Sequence, residues 1–146
     1  MIKYPSPGPI FSYEFSVPPE TLDQNGHVNN VTYVQWMQDA AVRHFTSLGG
    51  IPIMQAVEAT WVVRSHKIEY FNPAFTGDRL QVQTWIASLR RVRSLRRYRF
   101  FRLSDGKLLV KGETDWVFVD ARSGKPRAIP EQVSGIFPLL ADDRSA

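Results

Sequence analysis

The sequence predicts a single α+β domain in which a mostly antiparallel sheet curls around one long helix. One stretch has a strong helical apolar periodicity, and five others have strand character. The last four of those strands follow one another through hairpin-like turns. Parallel neighbours need a crossover of about a dozen residues or more, and only the first connection is that long. At 146 residues, the whole chain from 1 to 146 makes one domain.

Phe11 to Val17 alternates apolar and polar residues, with the apolar ones at odd positions, and Pro18-Pro19 stops it. That is the pattern of a half-buried strand. A polar loop from Glu20 to Asn29 follows, containing Asp23, Asn25, Gly26 and His27. The helix comes next, with Val31, Val34, Met37, Ala41, Phe45 and Leu48 recurring every three or four residues. Asn29 or Asn30 supplies an N-cap oxygen and Gly49-Gly50 a stop. From Asn30 to Leu48 the rod is roughly 28 Å long.

Strands are expected from Ala59 to Phe71, broken at Asn72-Pro73, then from Leu80 to Leu89 after a turn at Gly77-Asp78. Val92 to Leu103 ends at the hairpin signal Ser104-Asp105-Gly106, and Lys107 to Asp120 ends at Ser123-Gly124-Lys125-Pro126. The last strand places Leu108, Val110, Gly112, Thr114, Trp116 and Phe118 on one face. Lys111, Glu113 and Asp115 lie on the other, which is expected to face solvent. The tail from Pro130 is expected to form a short helical or irregular cap.

Composition narrows the function classes. Hydrophobic residues make up 43% of the chain and charged residues 22%, as in an ordinary globular protein. No apolar run approaches the ~20 residues that cross a bilayer. Met1 to Ile10 holds three prolines and lacks a signal-peptide core, so a cytoplasmic protein is expected. There are no cysteines, hence no disulfide, thiolate metal site or cysteine nucleophile. Seven arginines fall between Arg90 and Arg102 with no acid among them, while the rest of the chain carries 11 basic and 14 acidic residues. The basicity is local, which suits a specific anionic partner better than a nucleic-acid-coating surface. Arginines interleaved with Tyr98, Phe100 and Phe101 do suggest RNA stacking, but no RNA-module signature accompanies them.

The chemistry lies in Asp23-Gln24-Asn25-Gly26-His27-Val28-Asn29-Asn30-Val31-Thr32-Tyr33, which leads into the helix. A helix start offers unpaired N–H groups and a partial positive charge, able to stabilise an oxyanion. Gly26 permits a tight turn and close approach of a ligand. Asp23 is near enough to fold back over the same helix end. On composition alone, such a loop is more often a turn with a cap.

The run D-Q-N-G-H-V-N-N-x-x-Y before an amphipathic helix resembles the signature of hotdog-fold thioesterases of the 4-hydroxybenzoyl-CoA thioesterase type, and of the related acyl-carrier-protein thioesterases. The similarity continues through Ile68-Glu69-Tyr70-Phe71-Asn72-Pro73-Ala74, Gly77-Asp78, Thr84-Trp85, Gly106 to Val110 and Trp116 to Asp120. It implies a hotdog fold, a five-stranded sheet around a central helix, and hydrolysis of an acyl-CoA or acyl-carrier-protein thioester. No cofactor is implied beyond the coenzyme A of the substrate, and no metal. Asp23 becomes the catalytic carboxylate, as general base or nucleophile, and the backbone N–H of Asn30 the group that polarises the carbonyl. His27 is a further catalytic candidate, able to orient Asp23 or water, to contact substrate, or to tie the loop. Gly26, Asn29 and Tyr33 are substrate-binding candidates. Some relatives place a glutamate on the central helix instead; this helix has none, and Asp39 lies ~13.5 Å beyond Asn30 along it. Arginine suits phosphate, so Arg91 and Arg93 are candidates for the coenzyme A phosphates, although such clusters are often simply solvated or paired. The resemblance also implies a homodimer joined edge to edge, or a homotetramer. A non-catalytic acyl-CoA-binding hotdog is the alternative from a different class.

Overall fold

The computed structural model describes residues 8–140. Most of the proline-rich start, on which the absence of an export signal was read, lies outside them. The elements are β1 (Phe11–Ser16), a 3-10 turn (Pro19–Thr21), α1 (Asn30–Ser47), α2 (Gly50–Val57), β2 (Ala59–Tyr70), β3 (Arg79–Arg90), β4 (Arg93–Arg102), β5 (Leu108–Asp120) and α3 (Glu131–Ser134). The sheet has five strands in the order β1-β3-β4-β5-β2, every neighbouring pair antiparallel. The expected α+β architecture is present, with strand ends close to those the turn residues mark.

Helix α1 lies across the inner face of the sheet. Its buried residues are Tyr33, Met37, Ala40, Ala41 and His44, packed with Val82, Tyr98, Phe100 and Val110. Gly112 makes the close crossing possible, since a Cβ there would stand 2.8 Å from the Met37 sulfur. The buried stripe differs from the expected one. Val31 is 73% exposed, and the face is rotated toward Tyr33 and His44. Apolar periodicity could not find a stripe that ends on a buried histidine. Helix α1 ends at Ser47, just before Gly49 at φ +77°, so the expected stop is present, but a second helix that the sequence reading did not include, α2, starts at Gly50. Pro52 sits in its first turn, where the missing N–H is not needed.

The inner face of β4 holds Ser94, Arg96, Tyr98 and Phe100, all buried. Arg96 is thus a core residue, with its Nη1 donating to His44 Nδ1 and Thr84 Oγ1 at 3.0 Å each. On the outer face, Arg97 pairs with Glu113 at 2.8 Å and Arg93 with Asp115. Asp115, expected to face solvent, is only 8% exposed, because the register sets it diagonally across from Arg93 and the guanidinium covers it.

Burial, reinforced by the Arg96 charge, pushes the His44 imidazole from 6.5 down to about 3. The folded protein therefore keeps His44 neutral while the unfolded chain takes up a proton once the pH falls below 6.5. Stability should fall with acidification across that window by up to about 1.4 kcal/mol per pH unit from this residue. His44→Gln retains an acceptor for Arg96 and does not titrate. Urea unfolding at pH 7 and pH 5 should show the variant losing roughly 1–2 kcal/mol less than the wild type. Parallel losses in the two proteins would refute the assignment.

Candidate active site

The loop before α1 is organised by Asp23. Its Oδ1 accepts the N–H groups of Asn25 at 2.8 Å and His27 at 3.2 Å, while its own N–H donates to the His27 carbonyl at 2.7 Å. Gly26 takes φ +77°, the left-handed conformation that this tight return requires, and its N–H donates to the Asp23 carbonyl at 3.0 Å. The side chain is therefore held in one orientation, and none of the described hydrogen bonds reaches Oδ2.

Two further bonds seat the loop on the fold. The Val28 N–H donates to Ala74 O at 2.9 Å, and the Asn29 N–H to Thr21 O at 2.8 Å. Asn29 is the N-cap of α1, its Oδ1 accepting the Val31 N–H at 2.9 Å, while the Thr32 N–H goes to Asn29 O. That leaves the Asn30 N–H with no acceptor among the described residues. It is the orphan amide that a helix start must leave somewhere, placed at an exposed position.

Asp23, His27, Val28, Asn30 and Tyr33 share a cavity of about 260 Å³ with Tyr70, Phe71, Asn72, Pro73 and Ala74. The far wall is braced at several points. The Tyr70 hydroxyl donates to Asn30 O at 3.0 Å, Asn72 Nδ2 to Leu108 O at 2.8 Å, and Arg102 Nη1 to Pro73 O at 2.8 Å. His27 meets Phe75 edge to face at 5.2 Å, so its ring is part of the wall. Tyr33 is 3% exposed, and its buried hydroxyl has no hydrogen-bond partner among the described residues. Burial, with Tyr70 beside it, pushes the Tyr33 phenol up, so it stays a proton-bearing donor. Among the described residues no cluster of histidine and carboxylate side chains is arranged as a metal site.

Of the sequence candidates, Asp23, His27, Asn30 and Tyr33 thus converge on one cavity, with Gly26 and Asn29 shaping the loop beneath them. Arg91 and Arg93 do not join them. They lie in the β3–β4 hairpin, Arg91 exposed at φ +48° and Arg93 paired with Asp115. Phe100, which packs on Tyr33, lies seven positions after Arg93 in β4, a span of about 23 Å at the usual strand rise. The wall formed by residues 70–74 was missed as part of the site. Its signals in the sequence are the strand break at Asn72-Pro73 and the place of Ile68 to Ala74 in the family resemblance.

Three comparisons bear on what this arrangement belongs to. The chain is 29% identical over 133 residues to the acyl-CoA thioester hydrolase YbgC of Escherichia coli, covering 88% of this chain and 96% of that protein. It is 24% identical to the chloroplastic palmitoyl-acyl carrier protein thioesterase of Gossypium hirsutum, over 93% of this chain and 37% of that longer protein. The fold superposes on the 1,4-dihydroxy-2-naphthoyl-CoA thioesterase Slr0204 of Synechocystis with a TM-score of 0.80 at 22% identity, covering 92% of this chain and 99% of that one. The curled five-stranded sheet on a central helix is accordingly the hotdog arrangement. A family model of the thioesterase-like superfamily matches residues 17–137, which contain the whole cavity and its loop, and the chain belongs to that superfamily.

Proposed function

We propose that this protein hydrolyses an acyl-CoA thioester to the free acid and coenzyme A, with Asp23 as the catalytic carboxylate. One observation carries the reading: an oriented carboxylate and an unengaged helix-start N–H open onto the same cavity. A thioester carbonyl placed there has its oxygen on the Asn30 N–H and its carbon beside Asp23. Acting as a base, Asp23 takes a proton from water as the water oxygen bonds to the carbonyl carbon. The Asn30 N–H and the α1 dipole stabilise the oxyanion that forms. Collapse of this adduct breaks the C–S bond, and the thiolate leaves and is protonated. Acting as a nucleophile, Asp23 adds to the carbonyl carbon and displaces the thiolate as the C–S bond breaks, and water then cleaves the resulting anhydride to the free acid and the Asp23 carboxylate. His27 in the wall orients the attacking water or the substrate, and Tyr33 offers a buried hydroxyl to the acyl group.

Similarity to both coenzyme A and acyl-carrier-protein thioesterases keeps a carrier-protein thioester as the second substrate class. The exposed Arg91 is proposed to meet the coenzyme A phosphates, Arg93 being engaged by Asp115. No helix among the described residues is long and apolar enough to cross a membrane, and a cytoplasmic site of action fits this substrate. Strand β2, 12 residues long, is an uncovered sheet edge that runs directly into the cavity wall at Tyr70 and Phe71, both exposed. Exposed edges of that length invite pairing, so a homodimer joined through β2, or a tetramer of such dimers, completes the site.

Asp23→Asn keeps the Oδ1 acceptor that closes the loop and removes only the charge. Thiol release from an acyl-CoA panel should drop by ~10²-fold or more in kcat with unchanged melting behaviour. Turnover like that of the wild type would exclude Asp23. A protein that releases no thiol from any coenzyme A or carrier-protein substrate, yet binds them, would be a binding module instead. Arg91→Glu should raise KM for an acyl-CoA roughly threefold to tenfold and leave KM for the matching acyl-pantetheine unchanged, since only the former carries the nucleotide phosphates. Equal KM values would place the phosphates elsewhere. Light scattering at micromolar concentration should give the mass of two or four chains; a monomer would contradict the shared site.

A further inference from the structure

A second pocket, of about 230 Å³, lies at the opposite end of α1 and shares no lining residue with the first. Of its lining residues, Val42 of α1 and Ile51 of α2 are exposed. Its walls are almost wholly apolar, with the Phe137 ring meeting those of Phe45 and Trp61. The exceptional lining residue is Arg96.

Arg96 is 4% exposed, and no carboxylate among the described residues pairs with it. Its two described partners, His44 and Thr84, are neutral acceptors on one nitrogen, Nη1. A guanidinium has five N–H donors, so most of its capacity is unused by the fold. His44 does not offset the charge, and Arg96 itself, lowered by burial to about 10, stays protonated at neutral pH. The Trp61 indole N–H, also at this pocket, is buried without a partner among the described residues. Leaving a charge and a donor buried without an acceptor is expensive. The pocket thus offers donors and apolar surface, and lacks an anion.

We propose that this pocket binds a free carboxylic acid with a compact apolar body, its carboxylate on Arg96 and its tail against Phe45, Trp61 and Phe137. A carboxylate matches the guanidinium fork. One negative charge answers one positive charge, whereas a phosphate group would bring a second charge with no second cation to meet it. The volume lies below the ~300 Å³ at which drug-sized pockets begin, which suits an acid of the size of octanoate or benzoate. Such acids are the kind of product that thioester hydrolysis releases, but the site itself does not rest on that reaction.

The test titrates octanoate and its neutral analogue octanamide into the full-length protein by calorimetry. Octanoate should bind saturably at one site per chain, and octanamide roughly tenfold more weakly or worse, because it lacks the charge that Arg96 lacks a partner for. Ile51→Trp, which enlarges an exposed lining residue, should abolish binding of both. Arg96→Gln should make the two affinities equal; if that variant does not fold, the comparison in the wild-type protein decides. Asp23→Asn should bind octanoate as the wild type does, whatever it does to hydrolysis. Equal affinities in the wild type, or octanoate binding that survives Ile51→Trp, would overturn the proposal. So would binding lost in Asp23→Asn, which would place the acid in the catalytic cavity and leave the hydrolytic reading standing.

Discussion

A helix must begin with amides that its own ladder does not satisfy, and where those amides point decides what this fold can do. At the start of α1 the Asn29 side chain takes the Val31 N–H, and the Asn29 carbonyl takes that of Thr32. The Asn30 N–H is left without an acceptor among the described residues, and Asn30 lines the cavity. Asp23 folds the loop on itself through two N–H contacts, and Val28 and Asn29 fasten that loop to Ala74 and Thr21. The residue whose carboxylate shapes the loop also lines the cavity that Asn30 lines. On the proposed mechanism, structural and chemical roles coincide in one side chain, so the capping-turn reading and the catalytic reading of this loop do not compete.

The same helix carries a different kind of polarity at its other end. His44 is buried against Phe11 and accepts from Arg96, inside a sheet face otherwise built from aromatic and aliphatic side chains. The two ends therefore contrast. One presents a negative side chain and a free N–H at the surface, the other a buried cation in an apolar recess. A helix of 18 residues is long enough to keep them apart, so two chemically different recesses coexist in one small domain.

Much of this was legible beforehand. Alternation bounded by Gly, Pro, Asn and Asp located β1 to β5 to within a residue or two, because strand ends are set by local turn chemistry. Asp23, His27, Asn30 and Tyr33 were also readable, being close in sequence as well as in space. What escaped notice depends on tertiary contact. Helix α2 went unread because the Gly49-Gly50 stop closed the long helix and the short segment up to Ala59 was assigned no element; Pro52, in a first turn, does not break it. Arg96 looked like one more member of a solvated cluster, since only the register of β4 sends it inward while Arg97 meets Glu113 outside. Tyr70 to Ala74 lie 40 residues or more from Asn30 in the chain, and only the seating of α1 on the sheet brings them to it.

The most direct measurement is a crystal structure with an acyl-CoA analogue whose thioester sulfur is replaced by methylene, leaving a ketone that cannot be hydrolysed. The ketone oxygen should lie about 2.7–3.1 Å from the Asn30 nitrogen, with the Asp23 carboxylate against the face of the carbonyl carbon. A ketone bound in this protein but out of reach of both groups would contradict the shared site at the start of α1.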